Sequence, residues 1–117
     1  MSRGLNKAML IGNLGADPEV RSTTDGTRVA TLSLATNFTY KNAKGDKITT
    51  TEWHRVTVWR GLADIAEKYL RKGSKLFVEG RISYGKYTDK DGIERYTTEI
   101  VADELTMLDN APATASA

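Results

Sequence analysis

The two tryptophans of the chain lie six residues apart in Thr51-Glu52-Trp53-His54-Arg55-Val56-Thr57-Val58-Trp59-Arg60, with an arginine between them. The stretch is dense in Thr, Val and Trp, residues that favour an extended, half-buried backbone. Side chains alternate faces along a strand, so Trp53, Arg55, Thr57 and Trp59 share one face and His54, Val56 and Val58 the other. The second set reads as a core face. The first would bury an unpaired charge at high cost if it pointed inward. Pointing into water, two indoles and a guanidinium suit unpaired nucleic-acid bases, because every base has a π-face and each stack is worth roughly 1–3 kcal/mol. Arg55 can meet phosphate or stack in its own right. A second reading stands beside this one: one or both indoles cap a hydrophobic corner, and Arg55 snorkels past them.

Aromatics recur next to bases. Tyr40 precedes Lys41, with Lys44 and Lys47 following, and Tyr87 follows Lys86, with Tyr84 three residues earlier. One Tyr-Lys pair is an ordinary solvated strand edge; recurrence on two polar hairpins is what points to a charged, stacking ligand. Tyr69 and Phe77 are expected to pack instead, Tyr69 in a helical stripe and Phe77 beside Leu76 and Val78.

These residues need strands to hold them, and the chain reads as strands with one helix. Leu5–Leu14 is apolar with polar interruptions, and Gly12 and Gly15 mark bends or close backbone approach. Asp25-Gly26 sits between Glu19–Ser22 and the β-rich Arg28–Thr36, a hairpin cue. Residues 41–47 form a polar, basic loop before the long strand Thr49–Arg60. Leu62, Ile65, Ala66, Tyr69 and Leu70 then repeat at helical spacing, with Asp64–Lys68 and Glu67–Arg71 as i,i+4 pairs and Gly73 as the stop. Lys75–Ile82 returns to strand, Asp89-Lys90-Asp91-Gly92 tips a second hairpin, and Tyr96–Leu108 alternates into a last strand. The order predicts an all-β fold: a five-stranded OB-fold barrel with one α-helix between strands 3 and 4 and long hairpin loops. Residues 1–109 form this domain, and 110–117 a short flexible tail.

Composition narrows the chemistry. With 117 residues there is room for one core. No apolar run is long enough to cross a membrane, and the N-terminus lacks the layout of a secretory signal. Cysteine is absent, which removes disulfides, thiol catalysis and cysteine-ligated zinc, and points to an intracellular setting. One histidine, no Gly-rich phosphate loop and no metal-spaced carboxylate cluster leave little for an enzyme, and no cofactor is expected. Asp89-Lys90-Asp91-Gly92 lacks the later ligands of a calcium loop and reads as a turn. Net charge is +2, but Glu99 and beyond hold four of the 15 acids and no base, so the 17 Lys and Arg face 11 acids before that point. A basic body fits an anionic partner; ordinary solvated charge also accounts for it.

Several blocks, in order, resemble the bacterial single-stranded DNA-binding protein family. They are Arg3-Gly4-Leu5-Asn6-Lys7, Gly12-Asn13-Leu14-Gly15, Asp17-Pro18-Glu19-Val20-Arg21, Thr51–Arg55, Tyr69-Leu70-Arg71-Lys72-Gly73-Ser74, Lys86-Tyr87-Thr88-Asp89 and Arg95-Tyr96-Thr97-Thr98-Glu99. The likeness runs from residue 2 to about residue 109. It implies a cytoplasmic, nucleoid-associated homotetramer that wraps single-stranded DNA without sequence preference during replication, repair and recombination. Aromatics matching Tyr40, Trp53, Trp59 and Tyr87 stack on bases in this family, and basic positions matching Lys7, Arg55, Lys72 and Lys86 lie along the strand's path; Arg3 and Lys44 are expected to bind nucleic acid beside them. His54 matches a position near the subunit contact. Many relatives carry tryptophan where Tyr40 and Tyr87 stand, so less stacking area is expected there. Relatives also continue into a linker with an acidic tip that recruits replication and repair proteins; this sequence ends in Ala111-Pro112-Ala113-Thr114-Ala115-Ser116-Ala117, so no such recruitment is expected of it. The rival within the same barrel is an accessory replication-restart module resembling primosomal replication protein N.

Overall fold

Strand parity and one helix account for nearly all of the core. The computed structural model describes residues 4–108, so Arg3 and the expected tail at 110–117 lie outside the described residues. Its elements are β1 (Ala8–Leu14), β2 (Glu19–Ser22), β3 (Arg28–Lys41), β4 (Lys47–Trp59), α1 (Gly61–Tyr69), β5 (Lys75–Thr88) and β6 (Glu94–Met107). β1 and β2 are two pieces of one barrel strand, broken at Gly15–Pro18, where proline fixes φ and removes a donor. Counted that way there are five barrel strands, and α1 lies between the third and fourth. The expected OB-fold is present.

The sheet runs β1-β5-β6-β4-β3-β2 and closes through a β1–β3 pairing. That seam is short: Asn13 opposite Ala35 and Leu14 opposite Leu34. β4 and β6 meet in parallel at Val56–Ile100 and Thr57–Val101. Every other pairing is antiparallel. Alternate residues of these strands, Leu32, Leu34, Val56, Val58, Leu76, Val78, Ile100 and Ala102, bury together with Leu14, the helix residues Ala63 and Ala66, and Leu70 just past the helix end. Each such aliphatic side chain of Val or Leu size contributes about 1.5–3 kcal/mol on leaving water.

Gly12 belongs to the closure itself. A Cβ there would stand 2.2 Å from the carbonyl oxygen of Ala35, so the seam requires a residue without one. At the other end of β4, Arg60 turns the chain into α1 at φ 57°, a strained region for a residue with a side chain. Its N–H donates to the carbonyl of Arg28 at 2.8 Å, and its own carbonyl accepts from Ala63 and Asp64 at 3.0 and 3.2 Å.

The helix departs from expectation in three ways. It ends at Tyr69, with Leu70 already extended, and Gly73 instead serves the following turn, its N–H donating to the carbonyl of Leu14. Its buried residues are Ala63 and Ala66, continued by Leu70 just past its end, and Ile65 and Tyr69 are left exposed. Tyr69, expected to pack, is 41% exposed and lies under the Lys68 ammonium; Phe77 is half-buried. Finally, Asp64 and Glu67 both turn to Arg28 across the barrel, and the Arg71 guanidinium donates to the carbonyls of Glu67 and Leu70. A short helix on a barrel end finds better partners off its own surface than on it.

Beyond the barrel, β3–β4 and β5–β6 continue as two ribbons with exposed side chains. Their ladders run unbroken to Lys41–Lys47 and Thr88–Glu94. Their tips are built by short polar side chains. Asn42 accepts from the N–H groups of Lys44 and Asp46, and Asp89 from those of Asp91 and Ile93. These N–H groups, with Arg95 beside them, favour the charged form and hold the Asp89 carboxyl below its ordinary range. Asp25 plays the same part in the β2–β3 turn, where the Thr23 hydroxyl and then Thr27 push it down to about 2.

Candidate nucleic-acid interface

The parity predicted for β4 holds, and the tryptophan face is open at both ends. Trp53 is 62% exposed and Trp59 41%, with the Arg55 side chain exposed between them. The openness follows from small cross-strand partners: Ala35 stands opposite Trp53 and Ser33 opposite Arg55. Trp53 also lies across Gly15, where a Cβ would come 2.5 Å from ring atoms Cη2 and Cζ3. Glycine at that position gives the indole its seat.

The face is not one continuous strip. Thr57 shares it by parity yet is buried, with Thr31 on one side and Val101 on the other in the paired middle of the barrel. Six residues at about 3.3 Å each place Trp53 and Trp59 about 20 Å apart, too far to serve one base. Trp59 lines a shallow cavity of about 330 Å³ with Arg60 and the Thr23–Thr27 turn. Trp53 and Arg55 line another of about 380 Å³ with Leu10, Ile82, Tyr84 and Ile100.

His54 lines this second cavity from the opposite face of β4. It is half-buried, and its Nε2 lies 2.9 Å from the Thr36 hydroxyl.

On the β3–β4 ribbon, Tyr40 is exposed and paired with Ile48. It lies five positions from Ala35, the partner of Trp53, so Tyr40 and Trp53 occupy opposite faces of that ribbon. Lys44 sits in its tip. On the β5–β6 ribbon, Tyr87 stands opposite Arg95, and Lys86 opposite Tyr96. Lys72 follows the helix, its backbone N–H held by the Asp17 carboxylate at 2.8 Å.

Three of the predicted cations already have carboxylate partners. Lys7 meets Glu79 at 2.9 Å, which raises its pKa; Lys86 meets Glu94 at 3.3 Å, and Arg55 meets Glu99 at 3.9 Å. Sequence reasoning missed these acids because the partners are 72, 8 and 44 positions away along the chain. It also missed two exposed aromatics, Phe38 and Tyr96, while Tyr84, noted beside Tyr87, is exposed as well. For Phe38 a signal was present, since it sits two residues before Tyr40 and so shares its face.

The chain is similar to known proteins over this whole region. A family model for the single-strand binding protein family matches residues 5–108. A single-stranded DNA-binding protein of Xylella fastidiosa is 52% identical over 108 residues, covering 92% of this chain and 66% of that protein. One of Xanthomonas campestris is 49% identical over 108 residues, covering 92% and 63%. The chain thus spans just under two thirds of the length of these relatives. Among solved structures, a Plasmodium falciparum SSB complex with ssDNA superposes with a TM-score of 0.86 at 34% identity, covering 93% of this chain and 99% of that one. On the matched residues and the shared barrel, the chain belongs to the single-strand binding protein family.

Proposed function

We propose that this protein coats single-stranded DNA without sequence preference, during replication, repair and recombination, by stacking bases and attracting phosphates. The observation that carries this reading is the pair of exposed indoles flanking Arg55 on one barrel strand. Bases would stack on Trp53, Trp59, Tyr40 and Tyr87, and phosphates would follow Arg3, Lys7, Lys44, Arg55, Lys72 and Lys86. Duplex DNA hides its base faces, so preference for single strands arises from access rather than from reading base edges. The relatives' name, single-stranded DNA-binding protein, favours this role over an accessory restart module. A cytoplasmic site of action belongs to the same reading, as the place where single-stranded DNA is exposed; no helix among the described residues is long and apolar enough to cross a membrane.

Titration with oligo-dT should quench the intrinsic fluorescence strongly, because both tryptophans are open to solvent. Binding should weaken with salt at a log–log slope near −0.7 per phosphate neutralised, so five contacts lose about 100-fold between 50 and 200 mM. Unquenched fluorescence with salt-independent binding would remove the proposal.

A homotetramer is part of the same reading. Leu10, Ile82 and Ile100 line a half-open apolar groove beside His54, and a second copy covering it would take apolar surface out of water. Sedimentation should give the mass of four chains at micromolar concentration; a stable monomer there would refute it.

A further inference from the structure

We propose that Phe38 is a nucleotide-stacking residue, forming with Tyr40 a two-ring platform on the outer half of the β3–β4 ribbon. This rests on the reading of the protein as a single-stranded DNA binder and adds a residue and a geometry to it. Phe38 and Tyr40 have the inward parity of Leu32 and Leu34, but they lie past the end of the barrel, where there is no core to receive them. Phe38 is left 63% exposed, with no polar atom on its ring to offset that exposure. Its direct partner across the ribbon is Thr50, too small to cover a phenyl ring.

The two rings are stacked, with centroids 5.9 Å apart and planes inclined by 26°. A base between them would need two van der Waals separations, about 7 Å in all, so the gap is closed to it. Bases must use the outer faces. Tyr40 and Phe38 therefore act as one surface, each ring holding the other's orientation, and the smaller area of tyrosine at position 40 is offset by the phenyl behind it.

Charge decides what kind of molecule the platform fits. Lys41 and Lys47 face each other at the end of the ribbon, by parity on the face opposite the two rings, and Lys44 sits in the tip that both faces share. None of the three makes an ion pair among the described residues, whereas Lys7, Arg55 and Lys86 are each held by a carboxylate. Unpaired ammonium groups on flexible stems around the end of a ribbon that carries open π-faces complement a strand whose bases stack on one face and whose phosphates pass the tip. A second copy of this chain, the other possible occupant, would bring its own basic body up to a ribbon end with three unpaired cations.

The test uses the full chain with Phe38→Leu, Phe38→Ala and Phe38→Tyr, and labelled oligo-dT followed by anisotropy. Leucine and alanine should each weaken binding about five- to thirtyfold at fixed salt, while tyrosine stays within about twofold. The salt slope should not change, because a phenyl ring neutralises no phosphate. Phe38→Leu binding like the parent would overturn the proposal, as would a change of sedimenting mass in these variants, which would make the ring a subunit contact. Trp53→Ala, measured in parallel, separates the two levels of inference. If it alone weakens binding, the platform fails and the broader function stands; if no variant weakens binding, the broader function falls too.

Discussion

Replacing Trp53 and Trp59 together by alanine is expected to weaken oligo-dT binding by roughly 10²- to 10³-fold without changing the cooperativity of unfolding. Each stack is worth roughly 1–3 kcal/mol, and about 1.4 kcal/mol is a factor of ten. The two indoles are about 20 Å apart along β4, so they engage different nucleotides and their losses add. Neither belongs to the buried core, which is built from the opposite parity of the same strand. Anisotropy with labelled oligo-dT measures the loss, and a circular-dichroism melt checks the fold. Affinity unchanged in the double variant would remove stacking as the source of binding. A collapsed melt would instead assign the indoles to packing, the corner-capping role that the sequence left open.

The second large effect concerns the barrel's closure. Gly12→Ala should cost about 3 kcal/mol of stability, the upper part of the usual range for overpacking. The added methyl group would stand 2.2 Å from a backbone carbonyl oxygen and 3.0 Å from its carbon, atoms that cannot rotate aside as a side chain would. Only two residue pairs hold the β1–β3 seam, so even a small retreat of β1 opens it. At about 4–8 °C per kcal/mol for a domain of this size, the melting temperature should fall by 10 °C or more. Gly61→Ala is the control: at the start of α1 its new Cβ meets nothing within 4 Å, and alanine favours a helix. Equal stability of the two variants would show that the seam does not depend on that close approach.

Much of this protein is legible in its sequence, because local rules govern what is local. Period-two alternation gave the correct faces of β4, with Val56 and Val58 inward and Trp53 and Trp59 outward. Asp25-Gly26 and Asp89–Gly92 marked real turns, since their carboxylates accept nearby backbone N–H groups whatever the rest of the chain does. The helix was found from its spacing but its details were not. Spacing says which side chains share a stripe; the barrel end beneath chose Ala63 over Ile65 and Tyr69 for burial.

The sequence by itself determined which side chains share a face, where the chain turns, and that this is a barrel with one helix. Only the tertiary structure decided which faces stay open. Thr57 is covered although its parity matches the tryptophans, because its strand is paired on both sides in the middle of the barrel. Phe38 is uncovered although its parity matches Leu34, because the ribbon has run past the core. Glu79 and Glu99 reached Lys7 and Arg55 by the same route, through strands brought side by side from distant parts of the chain. Parity is fixed by the geometry of one strand, whereas burial and charge pairing depend on what the other strands place against it.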